Sequence, residues 1–199
     1  MEAYWYFDFG SPFAYLQLSK VREWRSRQPL TPVPIIARSL TRRVADSDPQ
    51  VAGIEESVEG FVRWRAKGAG MTVTFPKTYP FNSFAALRLS VAAGNSWHAI
   101  ESIFAHIWRD GLDGMLAEEL VSVGQAIGIA DPLAAIANAE NGTIVRANTM
   151  AAIALGVPTV PTVRVGGKLF HGAESAEQMD EWLALSRMST SGEHRRVAI

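Results

Sequence analysis

The sequence predicts an α/β fold in which a β-α-β unit and a β-β-α unit are separated by a long all-helical block. Three observations predict it. An aromatic run from Tyr4 to Phe9 gives way at Gly10-Ser11-Pro12 to a helical pattern. From Arg38 to about Asn148, the stretches between proline and glycine stops read as helices. Near the other end of the chain, Gly166-Gly167 joins two short apolar runs.

Tyr4 to Phe9 carries the aromatics of a buried strand. Gly10 makes the turn, Ser11 is an N-cap residue and Pro12 suits the first helical position. The helix runs from Pro12 to about Arg25, with Phe13, Leu16, Val21 and Trp24 as its buried face. Pro29, Pro32 and Pro34 then punctuate the chain, and a second strand is expected near Val33 to Ala37. A crossover of this length makes the two strands parallel. Within the helical block, Asp46 to Gly53 reads as a polar loop and Phe61 to Lys67 as a helix stopped by Gly68 and Gly70. Thr74 to Phe81 is an irregular aromatic-proline connection, after which Ser83 caps a helix reaching about Ala93. Ser96 caps the clearest helix, because Ile100, Ile103, Phe104, Ile107 and Trp108 recur at helical spacing. A further helix carries Leu116, Leu120, Val123 and Ile127, Asp131-Pro132 opens the next, and the last runs from about Thr143 to Leu155 before Gly156. Pro161 to Val165 returns to strand, the Gly-Gly pair turns it, and Lys168 to His171 completes a hairpin. A final amphipathic helix turns Met179, Trp182 and Leu183 inward, and residues 189–199 form a loose polar tail.

Composition bounds the chemistry. With 199 residues, 48% hydrophobic and 20% charged, the chain can bury a sizeable core. Its 19 basic and 20 acidic residues nearly cancel, so neither nucleic acid nor an anionic membrane has electrostatic support as a partner. A small-molecule substrate is expected instead. There is no cysteine, which excludes disulfides, thiolate metal sites and a protein-borne redox dithiol, so any thiol must arrive with a ligand. His98 and His106 are eight residues apart, outside the spacing of paired helical ligands; both read as structural or exposed, and no metal site is expected. No stretch approaches the roughly 20 apolar residues of a membrane span and no signal-like start is visible, so a cytoplasmic location is expected.

Four stretches carry a family resemblance: Asp8-Phe9-Gly10-Ser11-Pro12-Phe13-Ala14-Tyr15-Leu16; Arg63-Trp64 with Pro76, Pro80-Phe81-Asn82-Ser83 and Ala86-Leu87-Arg88; Ile107-Trp108 with Gly111-Leu112-Asp113; and Gly156 to Thr162 with Lys168 to Gly172. In this order the chain resembles the 2-hydroxychromene-2-carboxylate isomerases and the kappa-class glutathione transferases, within the thioredoxin-like fold of the DsbA type. The resemblance implies a discontinuous thioredoxin-like domain, residues 1–38 and 149–188, with an inserted helical domain, residues 39–148, and the 189–199 tail.

It also implies glutathione as cofactor. Ser11 stands where a disulfide oxidoreductase has its first cysteine and Ala14 where it has the second, so CxxC chemistry is excluded. In the family the serine hydroxyl meets the sulfur of glutathione, here with Pro12 and Phe13 beside it. Val160-Pro161 resembles the dipeptide that ends in the fold's cis-proline, whose preceding backbone pairs with glutathione; Pro158 is the competing proline. Glu174 and Ser175 fall where the family holds the γ-glutamyl end with Ser-Asp-Arg or Gln-Asp-Arg. Asp48 stands in for a family asparagine and, with Asn82 and Tyr79, is a candidate substrate contact. Asn82 reads equally as a turn residue, and Phe13, Tyr15, Phe75, Tyr79 and Phe81 as either an aromatic pocket or core. Asp8 either tunes the site or, as favoured, pairs with backbone or a neighbouring base; Arg88 either faces a substrate carboxylate or, as favoured, lies on a helix surface. The implied activity is glutathione-dependent isomerisation of an unsaturated aromatic acid derived from ring cleavage, with a kappa-like transferase or a non-catalytic binding protein as alternatives. Relatives of this kind often pair, so a homodimer is implied too, although no periodicity singles out an interface.

Overall fold

The computed structural model describes residues 2–41, 54–172 and 178. The first strand, β1 (Ala3–Phe7), sits inside a four-stranded sheet of order β2-β1-β3-β4, with β2 (Thr31–Pro34) parallel to it and β3 (Thr162–Val165) antiparallel. β4 (Lys168–His171) closes a hairpin on β3. Gly166 and Gly167, with φ of 55° and 81°, supply the left-handed backbone that a tight two-residue turn needs. Among the described residues the expected order is present as a β-α-β unit, a helical block between β2 and β3, and the β3-β4 hairpin.

Both edges of the first β-α-β unit differ from expectation for one reason. β1 ends at Phe7, not Phe9, because the Asp8 carbonyl turns to accept the Ser11 N–H at 3.0 Å. β2 occupies 31–34, not 33–37: its final rung is Ile35 N–H to the Phe7 carbonyl, 2.9 Å, and the Ala37 N–H goes to the Asp8 side chain. Pro32 and Pro34 alternate along this outer strand, opposite Trp5 and Phe7. The connecting helix is two pieces, α1 (Pro12–Leu16) and α2 (Leu18–Arg27), meeting at Gln17, whose carboxamide accepts the Trp5 indole N–H at 2.7 Å. Ala14, Tyr15, Leu18, Val21 and Trp24 form its buried face; Phe13 and Leu16, expected inside, are half exposed.

The helical block runs α3 (Arg38–Thr41), α4 (Ile54–Gly68), α5 (Phe84–Ala92), α6 (Trp97–Phe104), α7 (Val121–Ala126), α8 (Pro132–Ala137) and α9 (Ala139–Ala154). The 46–53 loop, the final helix apart from Gln178, and the tail lie outside the described residues. α4 and α9 begin earlier than expected; α9 is capped by Asn138, whose side chain accepts the Glu140 N–H at 2.9 Å. α7 is shorter, because Asp113 draws the Met115 and Leu116 N–H groups into a turn and leaves Leu116 47% exposed. Ser96 caps α6 as expected, through a 3.3 Å bond from the Ala99 N–H.

α6 then loosens into a π-helical turn, Ala105–Arg109, in which the Asp110 N–H reaches the Ala105 carbonyl. All five of the apolar residues expected on the inner face are fully buried. Trp108 is the junction between block and sheet. Its indole N–H donates to the Phe9 carbonyl at 2.7 Å, its own carbonyl accepts the Thr74 N–H at 2.7 Å, and the rings of Phe75, Tyr79 and Phe81 pack 5.3, 5.6 and 6.3 Å away. Trp5, Phe7 and Phe9 share one buried cluster with Leu87, Ile100, Phe104 and Trp108, so sheet and helices bury a common core. Among the described residues no helix is long and apolar enough to cross a membrane.

Trp108→Phe would keep an aromatic ring but leave the Phe9 carbonyl buried without its donor. A loss of about 2–4 kcal/mol is expected in urea unfolding; a loss under about 1 kcal/mol would show that the indole N–H is not a structural tie.

Candidate active site

The candidate site begins where β1 stops. Ser11 has an extended backbone, φ −100° and ψ 111°, and its Oγ accepts the Ala14 N–H at 3.3 Å, which is the geometry of an N-cap. Pro12 follows at the first helical position and has no N–H to satisfy. Two hydrogens at this end are left without an acceptor among the described residues: the Ser11 hydroxyl hydrogen and the Phe13 N–H. Ser11 itself is buried, 8% exposed. A hydroxyl that accepts from its own helix and keeps a hydrogen to give is suited to an anion.

Three residues before Ser11, Asp8 is buried. Its Oδ1 accepts the Gly10 N–H at 2.9 Å and the Ser83 hydroxyl, and its Oδ2 accepts the Ala37 N–H at 2.8 Å. Of the two roles open to Asp8 in the sequence, the structure shows pairing, and with backbone and a serine. Burial pushes its carboxyl above the usual range, against the opposing pull of these three donors and the Arg38 guanidinium. Ser83 does not cap α5 with its side chain, contrary to expectation, because that hydroxyl is committed to Asp8. Asn82 takes over, its Oδ1 accepting the Phe84 N–H at 3.2 Å.

The Val160-Pro161 bond is cis and the Val157-Pro158 bond is not. Tyr6 pairs with Thr162, so Pro161 lies one residue beyond, at the end of β1 from which the Asp8-to-Ser11 turn departs. The Pro161 carbonyl accepts the Gly172 N–H at 3.0 Å, and the Thr162 hydroxyl donates to the Thr159 carbonyl at 2.7 Å. A second cis bond, Tyr79-Pro80, carried no sequence signal that distinguished it.

Residues 4–184 match the family model of the DSBA-like thioredoxin domain. The chain belongs to that family. Among solved structures it is similar to a 2-hydroxychromene-2-carboxylate isomerase, with TM-score 0.77, 21% identity and 98% of both chains covered. It is also similar to a probable DsbA oxidoreductase from Streptomyces coelicolor, with TM-score 0.68, 18% identity and 93% and 89% of the two chains covered. A third is the cytosolic disulfide reductase DsbM from Pseudomonas aeruginosa with GSH, with TM-score 0.63, 17% identity and 96% and 100% covered. At these identities the likeness is one of fold. No curated protein matches the sequence.

Within the DSBA-like scaffold the remaining candidates separate. Tyr15 is core, its hydroxyl donating to the Thr72 carbonyl at 2.8 Å, and Tyr79, Phe75 and Phe81 pack around Trp108. Phe13 alone of the five aromatics neither belongs to the main buried cluster nor packs against it among the described residues. It stands 6.1 Å from Phe61, which is 5.7 Å from Trp64, at one side of a groove of about 700 Å³ between α1–α2 and α4 that Leu16, Lys67 and Gly68 also line. Trp64 is 66% exposed there. The Phe61 and Trp64 spacing on α4 was the available signal for this groove; its meaning depended on α1 lying alongside. Arg88 stacks on Phe84 and donates to the Asn138 carbonyl at 2.8 Å, a brace between α5 and α9. His98 is exposed, and His106 is buried in the π turn, where burial holds its imidazole below the usual range. Asp48, Glu174 and Ser175 lie outside the described residues.

The raised Asp8 carboxyl has a pH signature. The native state keeps that proton over a window in which the unfolded chain has already lost it, so stability should fall as pH rises through that window, upward from about pH 4. Asp8→Asn has no such titration. Plotted against pH, the wild-type urea midpoint should decline relative to that of Asp8→Asn across the window; a constant difference between the two would contradict the shift.

Proposed function

We propose that the protein is a glutathione-dependent isomerase of the 2-hydroxychromene-2-carboxylate isomerase type, acting on an unsaturated aromatic acid. The observation that carries this reading is the Ser11 hydroxyl, which accepts from Ala14 and retains its own hydrogen, in a DSBA-like scaffold with no cysteine. The scaffold's redox chemistry needs thiols that this chain lacks, so the thiol comes from the cofactor. A disulfide reductase of the same fold is known with GSH, which supports glutathione as the ligand.

Ser11 donates its hydrogen to the cofactor's sulfur. A thiol of ordinary pKa, about 8.5, is only about 3% thiolate at pH 7; bringing that value to about 7, a difference of about 2 kcal/mol, puts half of it in the reactive form. A hydroxyl and an adjacent backbone N–H, those of Ser11 and Phe13, are donors of the right kind for that task. Glutathione, when bound, would supply the sulfur nucleophile for reversible addition to a conjugated double bond, the chemistry that lets its geometry change with no net consumption of the thiol. The Val160 backbone beside the cis-proline would pair with the glutathione peptide, Pro12 and Phe13 would line the sulfur's approach, and Glu174 and Ser175 would take the γ-glutamyl end. Asn82, next to Ser83, and Asp48 are assigned to the substrate; Tyr79 contributes through its packing on Trp108. A cytoplasmic setting keeps the cofactor reduced.

Purified protein should bind glutathione in calorimetry and, with it, isomerise a 2-hydroxychromene-2-carboxylate to a product of unchanged mass. Ser11→Ala should lower the rate by about 10²-fold while the fold is kept. Absence of glutathione binding would overturn the reading; a product heavier by the tripeptide would make the protein a transferase.

A further inference from the structure

Asp8 is a buried ionisable group that the proposed chemistry does not use, yet it is the most connected side chain around Ser11. Its carboxylate reaches three separate parts of the chain. Oδ1 holds the Gly10 N–H in the turn and the hydroxyl of Ser83 at the start of α5, and Oδ2 holds the Ala37 N–H just past β2. Its own carbonyl holds the Ser11 N–H at 3.0 Å. The turn also lies against the 81–83 segment. A Cβ placed on Gly10 would meet the Phe81 carbonyl oxygen and the Ser83 Cβ, each at 3.7 Å.

We propose that Asp8 is a positioning residue for Ser11: its carboxylate clamps the Gly10-Ser11 turn to the end of β2 and the start of α5, and so sets where the Ser11 hydroxyl stands. The geometry asks for a carboxylate. Three donors converge on two oxygens, and a carboxylate is the side chain that accepts on both without offering a hydrogen of its own. Asparagine has nearly the same shape but one accepting oxygen. Its amide hydrogens would face either the Ala37 N–H or the Gly10 N–H, donor against donor. A hydroxyl that must meet a ligand atom within a few tenths of an ångström needs such support behind it.

The inference rests on the proposed function only for its ligand readout, and a second readout needs no ligand. The Ala14 N–H is bonded to Ser11 Oγ, so its hydrogen exchange reports where that hydroxyl stands. In folded Asp8→Asn, Ala14 exchange should quicken by about tenfold or more, while Trp5 and Val163 in the sheet keep wild-type rates. Unchanged Ala14 exchange would overturn the proposal. With glutathione, the thiol's titration followed by ultraviolet absorbance should move toward its free value in Asp8→Asn, and Asp8→Asn/Ser11→Ala should be no further displaced than Ser11→Ala alone. A wild-type titration in Asp8→Asn, or effects that simply add, would also overturn it. If wild-type protein binds no glutathione, the functional reading fails and Ala14 exchange alone decides Asp8. Should Asp8→Asn not fold, Ser83→Ala carries both readings in weaker form. Ser83→Thr, which returns the hydroxyl, should restore them, and failure of either would count against the clamp.

Discussion

The Phe9 carbonyl is buried at a point where the sheet has already ended, and a backbone acceptor in that position must find a donor or destabilise the fold by about 1–3 kcal/mol. Trp108 supplies it, 99 residues away in sequence. Much else follows from that bond. The indole arrives from a π-helical turn, and the 74–81 connection folds its aromatic rings around it. Asp8, one residue earlier, is tied to the same block through Ser83. The inserted helices are therefore part of the wall that shapes the Ser11 turn, and not a lid laid over a finished sheet.

The legible parts of the sequence were those in which local chemistry decides the outcome. Ser11-Pro12 reads as a cap because a hydroxyl and a ring that fixes φ act on the next turn alone. The Ile100 to Trp108 series reads as an inner face because five apolar residues agree on one side of a helix. Gly166-Gly167 reads as a hairpin because both residues need positive φ. What was not legible depends on partners far along the chain. Phe13 and Leu16 look as apolar as Val21 and Trp24, and only the groove beside α4 leaves them half exposed. Ser83 looks like a cap, and is diverted by a carboxylate 75 residues upstream. The partners of Asp8 at residues 37 and 83 could not be named until the sheet and α5 had been brought together.

As a helix cap, Ser11 gives its oxygen to the chain, while its own hydrogen has no acceptor among the described residues. A cysteine in that position would hold the charge itself; the hydroxyl, which does not ionise near neutral pH, can only stabilise a charge brought from outside. The chemistry that such a turn serves is then set by the ligand's reactive atom and by the walls around it.

The prolines of β2 have a consequence beyond their place in the register. In a strand, alternate N–H groups point to opposite sides. The Ile35 N–H faces β1, so the N–H positions of residues 32 and 34 would face outward, and both of those residues are prolines. The outer edge of the sheet is thus stripped of donors over its central stretch, and no further strand can extend the ladder there. Chains of this kind can crowd together in the cell without zipping edge to edge on that side, and an extended peptide seeking strand-like pairing must find it elsewhere on the sheet.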